Sequence, residues 1–160
     1  VSIDERLLIV ARTWGHTPRI ERAVAGFSRL GEYGKIWVAI GGAGWLLDRP
    51  RRAYWRKACT TVSATYALNV AIKWVVRRER PRLAGLPALT GTPTRLSFPS
   101  AHASTSFAGA LCYARLGLPT GPLYALATGL ALSRLYLGVH YPSDILAGAA
   151  LGTLVGAVAA

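Results

Sequence analysis

The sequence predicts an all-α protein: a polytopic membrane helix bundle of about five transmembrane helices, preceded by amphipathic N-terminal helices. Three observations carry this expectation. Apolar runs recur near residues 33–47, 53–76, 102–116, 122–138 and 143–160. More than half of the 160 residues are hydrophobic while the formal net charge is +12. Apolar spans joined by cationic loops produce that combination, and a soluble basic domain rarely does. Aromatic residues cluster near the expected ends of the runs, as interfacial side chains do: Trp37, Trp45, Tyr54, Trp55, Trp74, Tyr136 and Tyr141.

Before the first run, Ile3, Leu7, Leu8, Ala11 and Trp14 share one helical face, and Gly15-His-Thr-Pro18 breaks the helix. A second amphipathic face follows at Ile20, Ala23, Val24, Phe27 and Leu30, suited to the membrane interface or to packing on a bundle's rim. Residues 1–30 carry Asp4, Glu5 and Glu21 and lack a continuous apolar run, so no secretory signal is expected there. Several of the runs, the first and third above all, are shorter than the ~20 residues of a full crossing. In the last span, Gly148, Gly152 and Gly156 fall four apart, which lets one face pack closely on a neighbour. The whole chain, 1–160, reads as a single domain, with residues 1–30 as the amphipathic helices and 33–160 as the bundle.

The connection at 77–101 is the longest. Prolines 81, 87, 93 and 99 exclude a continuous helix, and Arg77, Arg78, Arg80, Arg82 and Arg95 make it cationic. A long irregular segment in so short a protein is often functional. Cys59 and Cys112 lie in apolar stretches without metal-ligand spacing, so no metal and no cofactor are expected. The Arg/Lys clusters lie between apolar runs without a recognition motif, which argues against nucleic acid as a partner.

Three motifs carry chemistry. Lys73 precedes Arg80-Pro81 by seven residues; Pro99-Ser100-Ala101-His102 opens the third span; Ser133-Arg134 leads to His140-Tyr-Pro-Ser-Asp144. Singly, each has a plain structural explanation, such as flanking charges, a helix cap or a span-end anchor. Followed through the spans, however, all of them fall on one membrane surface, where charged groups need a polar cavity or partners. Phosphoryl transfer spreads negative charge over oxygens, so Lys73, Arg80 and Arg134 suit it as fixed cations, with Ser100 and backbone amides adding donors. Of two histidines, one can attack phosphorus as neutral imidazole while the other protonates the departing oxygen. Asp144, four residues beyond His140, can hold one imidazole N–H and leave the other nitrogen to attack. His16, Glu79 and Ser104–Ser106 receive no role.

Jointly, the motifs resemble those of the type 2 phosphatidic acid phosphatase (PAP2) superfamily, KxxxxxxRP, PSGH and SRxxxxxHxxxD, over residues 73–144. One departure is Ala101, where the family usually has glycine; it retains the backbone N–H. The resemblance implies a metal-independent lipid phosphatase with His140 as nucleophile, Asp144 as its partner and His102 as acid for the leaving group. It further implies phosphate binding by Lys73, Arg80, Ser100, the Ala101 amide and Arg134. The superfamily's vanadate-dependent haloperoxidases are soluble and much larger. The small size, Asp48-Arg-Pro-Arg-Arg52 and Leu96-Ser-Phe-Pro-Ser-Ala-His-Ala103 are similar to the actinobacterial decaprenylphosphoryl-5-phosphoribose phosphatases, which serve cell-wall arabinan synthesis. Phosphatidylglycerophosphate, phosphatidate and polyprenyl diphosphate phosphatases are the alternatives within the family. A non-catalytic, anionic-lipid-binding membrane protein is the alternative outside it. The expected partners are the bilayer of the bacterial inner membrane and a lipid phosphate; oligomeric state is not readable. The active-site surface holds thirteen Lys/Arg and the opposite one six. That count favours a cytoplasmic site, whereas many family members face outward and the densest cluster, 49–57, lies on the other side.

Overall fold

Two reciprocal hydrogen bonds start the first helix. In this computed structural model, which describes residues 2–159, the Ser2 hydroxyl accepts from the Glu5 amide and Glu5 accepts from the Ser2 amide. This capping box opens α1 (Ile3–Thr13). The Thr17 hydroxyl and Pro18 start α2 (Pro18–Arg29) in the same economical way. A 3-10 turn (Glu32–Gly34) leads into α3 (Lys35–Leu47), and a second (Arg49–Arg51) into α4 (Arg52–Val76). The chain then runs irregularly to α5 (Ala101–Arg115), α6 (Thr120–Tyr136) and α7 (Pro142–Ala159). Among the described residues there are no strands, only isolated bridges such as Glu79 with Leu96.

The five sequence runs correspond to α3 to α7. Only α7, among the described residues, is both long and apolar enough to cross a membrane on composition alone. α3, α5 and α6 have 13, 15 and 17 residues; at ~1.5 Å per residue, α3 rises only about 20 Å. α4 is long enough, but Thr61, Thr65, Asn69 and Lys73 run down its buried face.

α5 is the central helix, packing on α4, α6 and α7. Its contact with α7 depends on the glycine stripe. A Cβ on Gly152 would lie 2.1 Å from the Ser104 carbonyl oxygen, and one on Gly148 2.5 Å from that of Ser100. The two backbones touch, so α7 presents glycine inward and Leu146, Leu154 and Val158 outward. Ser104, Thr105 and Ser106 are fully buried in the packing. Ser104 and Thr105 return their hydroxyls to the carbonyls four residues back, while Ser106 Oγ accepts from Trp37 Nε1 at 2.9 Å.

Two of the expected interfacial aromatics belong instead to the core. Trp37 is fully buried and Trp55 nearly so, both stacked on Tyr113. Their indole N–H groups find internal acceptors, Ser106 and Asp48, which removes the reason to stay at a wet boundary. Trp45, Tyr54 and Trp74 are exposed near helix ends.

α1 is oriented with its polar stripe inward. Leu8 and Arg12 are buried and Asp4 is half-buried, while Ile3, Leu7, Val10 and Trp14 face out. The apolar face named from the sequence therefore contributes little but Leu8 to the chain's own core. Gly152→Ala should destabilise the protein by about 1–3 kcal/mol through overpacking. It is read as a lower thermal midpoint in detergent, with Gly42→Ala, which meets nothing within 4 Å, leaving the midpoint unchanged or higher.

Candidate active site

The irregular segment after α4 begins with Arg77 in a left-handed conformation (φ 54°), which ends the helix and reverses the chain. Residues 78–80 then pair with 95–97: Arg80 N donates to Arg95 O at 3.0 Å and Ser97 N to Arg78 O at 2.8 Å. This short antiparallel contact sets the first motif beside the second. Lys73 completes the join, its buried Nζ donating to Ser97 O at 2.9 Å and Pro99 O at 2.6 Å. Asn69, one turn earlier, donates to Pro99 O and Ser104 Oγ.

The second and third motifs meet at the start of two helices. Ser100 N donates to the Asp144 carbonyl at 2.9 Å. Asp144, in the third position of α7, reaches back so that Oδ2 accepts the Tyr141 amide at 2.9 Å. The same oxygen lies 3.4 Å from His140 Nδ1. On the other side of the ring, Arg80 Nη1 donates to His140 Nε2 at 3.0 Å and to Val139 O at 2.8 Å. A nitrogen that accepts from a guanidinium carries no hydrogen, so the imidazole holds its proton on Nδ1, toward the carboxylate. Burial, then the neighbouring Arg80 and the other cations, push the His140 pKa well below the usual imidazole range. Burial likewise lowers Arg80, to about 10, which leaves it charged at neutral pH.

A cavity of about 290 Å³ opens onto this arrangement. Lys73, Arg80, Ala101, His102, Arg134 and His140 line it, so six of the eight site residues named from the sequence share one space. Asp144 is fully buried behind His140. Ser100 is also fully buried and is not part of the lining; its hydroxyl accepts the Ala103 amide at 3.4 Å as the cap of α5. Glu32, Tyr33, Tyr66, Trp74 and Thr92 complete much of the remaining wall. Tyr33 holds a left-handed φ of 55°, a costly conformation for a bulky residue.

α2 supplies contacts that no sequence signal indicated. Ser28 is buried, its carbonyl accepting His102 Nε2–H at 2.9 Å and its hydroxyl accepting Arg134 Nη1 at 2.8 Å. Gly31 makes this approach possible, because a Cβ there would stand 2.7 Å from His102 Cδ2. With Nε2–H committed to a carbonyl, Nδ1 is the His102 nitrogen left for exchange. Arg78, passed over as one of several loop arginines, donates to Asp144 Oδ1 at 2.9 Å. Glu79 pairs with Arg82 on the surface. His16 stacks on Tyr136 and its ring nitrogens lie within hydrogen-bond distance of Glu21 and the Ala11 carbonyl, as part of the turn between α1 and α2.

A helical bundle thus brings two histidines and fixed cations to one cavity, with a carboxylate buried behind one of the histidines. The sequence pattern of the PAP2 superfamily matches residues 54–160, well over half of the chain. The chain belongs to the PAP2 superfamily, as an enzyme of the phosphatase class. It is 40% identical over 146 residues to the decaprenylphosphoryl-5-phosphoribose phosphatase of Mycolicibacterium smegmatis, covering 91% of this chain and 80% of that one. Its fold is similar to that of LpxE from Aquifex aeolicus, with a TM-score of 0.84 at 21% identity, over 99% of this chain and 95% of that one. The transmembrane PAP2-type phosphatidylglycerolphosphate phosphatase of Bacillus subtilis gives a TM-score of 0.77 at 23% identity, over 98% and 82% of the two chains.

Acidification through the ordinary imidazole range, about 6.5, should leave His140 neutral in the folded protein. Nitrogen-15 imidazole spectra would then show the Nδ1–H tautomer persisting below that pH. An unfolded chain takes up the proton there and the folded one does not, so this residue's contribution makes the fold less stable as pH falls.

Proposed function

We propose that this protein is a multi-pass phosphatase of the bacterial inner membrane that removes the phosphomonoester from a polyprenyl-linked sugar phosphate, in the manner of a decaprenylphosphoryl-5-phosphoribose phosphatase. The observation that carries the reading is the 3.0 Å contact between Arg80 and His140 Nε2, with Asp144 on the ring's other nitrogen. A guanidinium beside the lone pair of a neutral imidazole stands where a phosphate oxygen would bind as that lone pair meets phosphorus. Support for the substrate class comes from the mycobacterial relative and from the cavity wall, where the Glu32 carboxylate and the phenols of Tyr33 and Tyr66 sit beside the cations. Those groups suit the hydroxyls of a sugar. Support for crossings by α3, α4, α6 and α7 around the central α5 comes from the outward Val38, Leu68, Val75, Leu132, Leu146 and Val158, each well exposed on the bundle.

The phosphate would be held by Lys73, Arg80, Arg134 and the Ala101 amide, with Ser100 fixing the start of α5 behind them. His140 Nε2 attacks phosphorus and forms the N–P bond as the ester P–O bond breaks. His102, protonated on both nitrogens, gives its Nδ1 proton to the leaving sugar oxygen. Asp144 stabilises the imidazolium character that grows on His140. Water then attacks the phospho-histidine, passing a proton to His102, and inorganic phosphate leaves. The cations act where charge spreads over the equatorial oxygens, which is the largest contribution to expect in such a site.

The test is purified protein in detergent with EDTA, offered polyprenylphosphoryl-5-phosphoribose, phosphatidylglycerophosphate, phosphatidate and a polyprenyl diphosphate. Phosphate release should be fastest from the sugar phosphate and unaffected by EDTA; a clear preference for a diphosphate would overturn the substrate reading. His140→Ala should lower kcat by at least about 10³-fold, and wild-type turnover in that variant would remove it as nucleophile. His102→Ala should slow alkyl phosphates far more than an aryl phosphate whose leaving group needs no proton. An equal loss on both would remove the acid role.

A further inference from the structure

Asp144 has two carboxylate oxygens, and the chemistry proposed above uses one of them. Oδ2 faces His140 Nδ1 and takes the Tyr141 amide. Oδ1 accepts from Arg78 Nη1 at 2.9 Å, and the same nitrogen donates to Ser143 Oγ at 2.7 Å. Arg78 Nη2 donates to Asp4 Oδ2 at 2.9 Å, and the guanidinium lies 4.0 Å from the centroid of the Tyr141 ring. Asp4, from α1, also accepts the Ser143 amide at 3.0 Å and the Ser143 hydroxyl. One guanidinium thus joins α1, the turn after α4 and the first turn of α7.

We infer that Arg78, anchored by Asp4, is a positioning residue for the His140–Asp144 pair, and that α1 is thereby part of the catalytic unit. A carboxylate held through one oxygen retains freedom about its terminal torsion, which is broad and roughly two-fold. Fixing Oδ1 on a planar donor sets the plane of the group, and so the direction in which Oδ2 meets Nδ1. Arg78 also supplies a charge that a fully buried carboxylate requires if it is to stay ionised while His140 becomes positive. Arg78 is not among the residues lining the cavity, unlike Arg80 and Arg134. It acts on the substrate only through Asp144. Asp4 in turn fixes Arg78 against Tyr141 and ties it to α7.

The inference rests on the His140–Asp144 reading above, and a mutant cycle separates the two. Arg78→Ala, Arg78→Lys and Asp4→Asn are compared in the wild-type and Asp144→Ala backgrounds, using the full chain in detergent and measuring kcat and KM apart. Arg78→Ala should lower kcat roughly ten- to a hundredfold, the usual cost of losing a partner that orients a reacting group, with KM within about threefold. Added to Asp144→Ala, it should cost at most about threefold more, because no carboxylate is left to orient. Arg78→Lys should recover part of the loss, since a lysine offers charge without the fork. Asp4→Asn should act weakly, and not at all once Arg78 is gone. A full, multiplicative loss in the Asp144→Ala background would overturn the inference by making Arg78 a residue of the fold. A raised KM at constant kcat would overturn it by making Arg78 a substrate contact. If Arg78→Ala does not fold, Arg78→Lys carries the same cycle with the same two outcomes. Wild-type turnover in Asp144→Ala would overturn the reading of the pair and this inference with it.

Discussion

Positive charge gathered at one end of an apolar bundle is the constraint around which this structure is organised. Lys73 and Arg134 are buried, and Arg78 and Arg80 are half-buried. Few carboxylates stand near them: Asp144 and Asp4 bond Arg78, and Glu32 lines the cavity. The cations are served largely by backbone carbonyls instead. Lys73 takes those of Ser97 and Pro99, Arg80 those of Thr94 and Val139, and Arg12 those of Pro87 and Tyr136. Carbonyls inside helices are already committed, so free ones come from irregular chain or, as with Tyr136, from the last turn of a helix. The prolines of the 77–101 segment prevent it from becoming helix and thereby leave oxygens for the cations. Irregular backbone is tolerated in such a place where its polar groups find partners in the protein or line a polar cavity. The loop is in this sense the lining that lets the site be both cationic and buried.

The N-terminal helices enter the same economy. α1 turns Asp4 and Arg12 toward the loops, one bonding Arg78 and Ser143, the other bonding Pro87 and Tyr136. α2 brings Ser28 between His102 and Arg134. Neither contact resembles the apolar docking expected of an amphipathic helix, because the core here is already filled by Trp37, Trp55, Tyr113 and their neighbours. What remained for α1 to cover was a polar rim, and its charged stripe matches that rim while Ile3, Leu7, Val10 and Trp14 face away.

Within that frame, each histidine is held by a different device. His140 lies between a guanidinium on Nε2 and a carboxylate on Nδ1, which selects one tautomer, while burial and then the neighbouring Arg80 depress its affinity for a proton. His102 gives Nε2–H to a main-chain carbonyl near the C-terminal end of α2. In the proposed reaction the first presents a lone pair and the second passes a proton. Two imidazoles in one cavity are thus made unequal by their partners.

The sequence by itself determined the helical class, the order of the elements and the identity of six cavity-lining residues, because these follow from local rules. Apolar runs, prolines and fixed spacings such as Lys73 to Arg80 or His140 to Asp144 are visible within a few residues of chain. Glycine at 148, 152 and 156 announced a close helix contact for the same reason. The tertiary structure alone decided that Trp37 and Trp55 are core residues, that Ser100 caps α5 away from the cavity, and that Asp4, Ser28 and Arg78 touch the site. Three of those outcomes depend on partners far away in the chain: Ser106 for Trp37, Asp144 and Asp4 for Arg78, His102 and Arg134 for Ser28. Hydrogen bonds across such separations leave no periodicity and no spacing in the sequence. They arise only when the helices have packed and a buried polar group must take whichever neighbour the packing supplies.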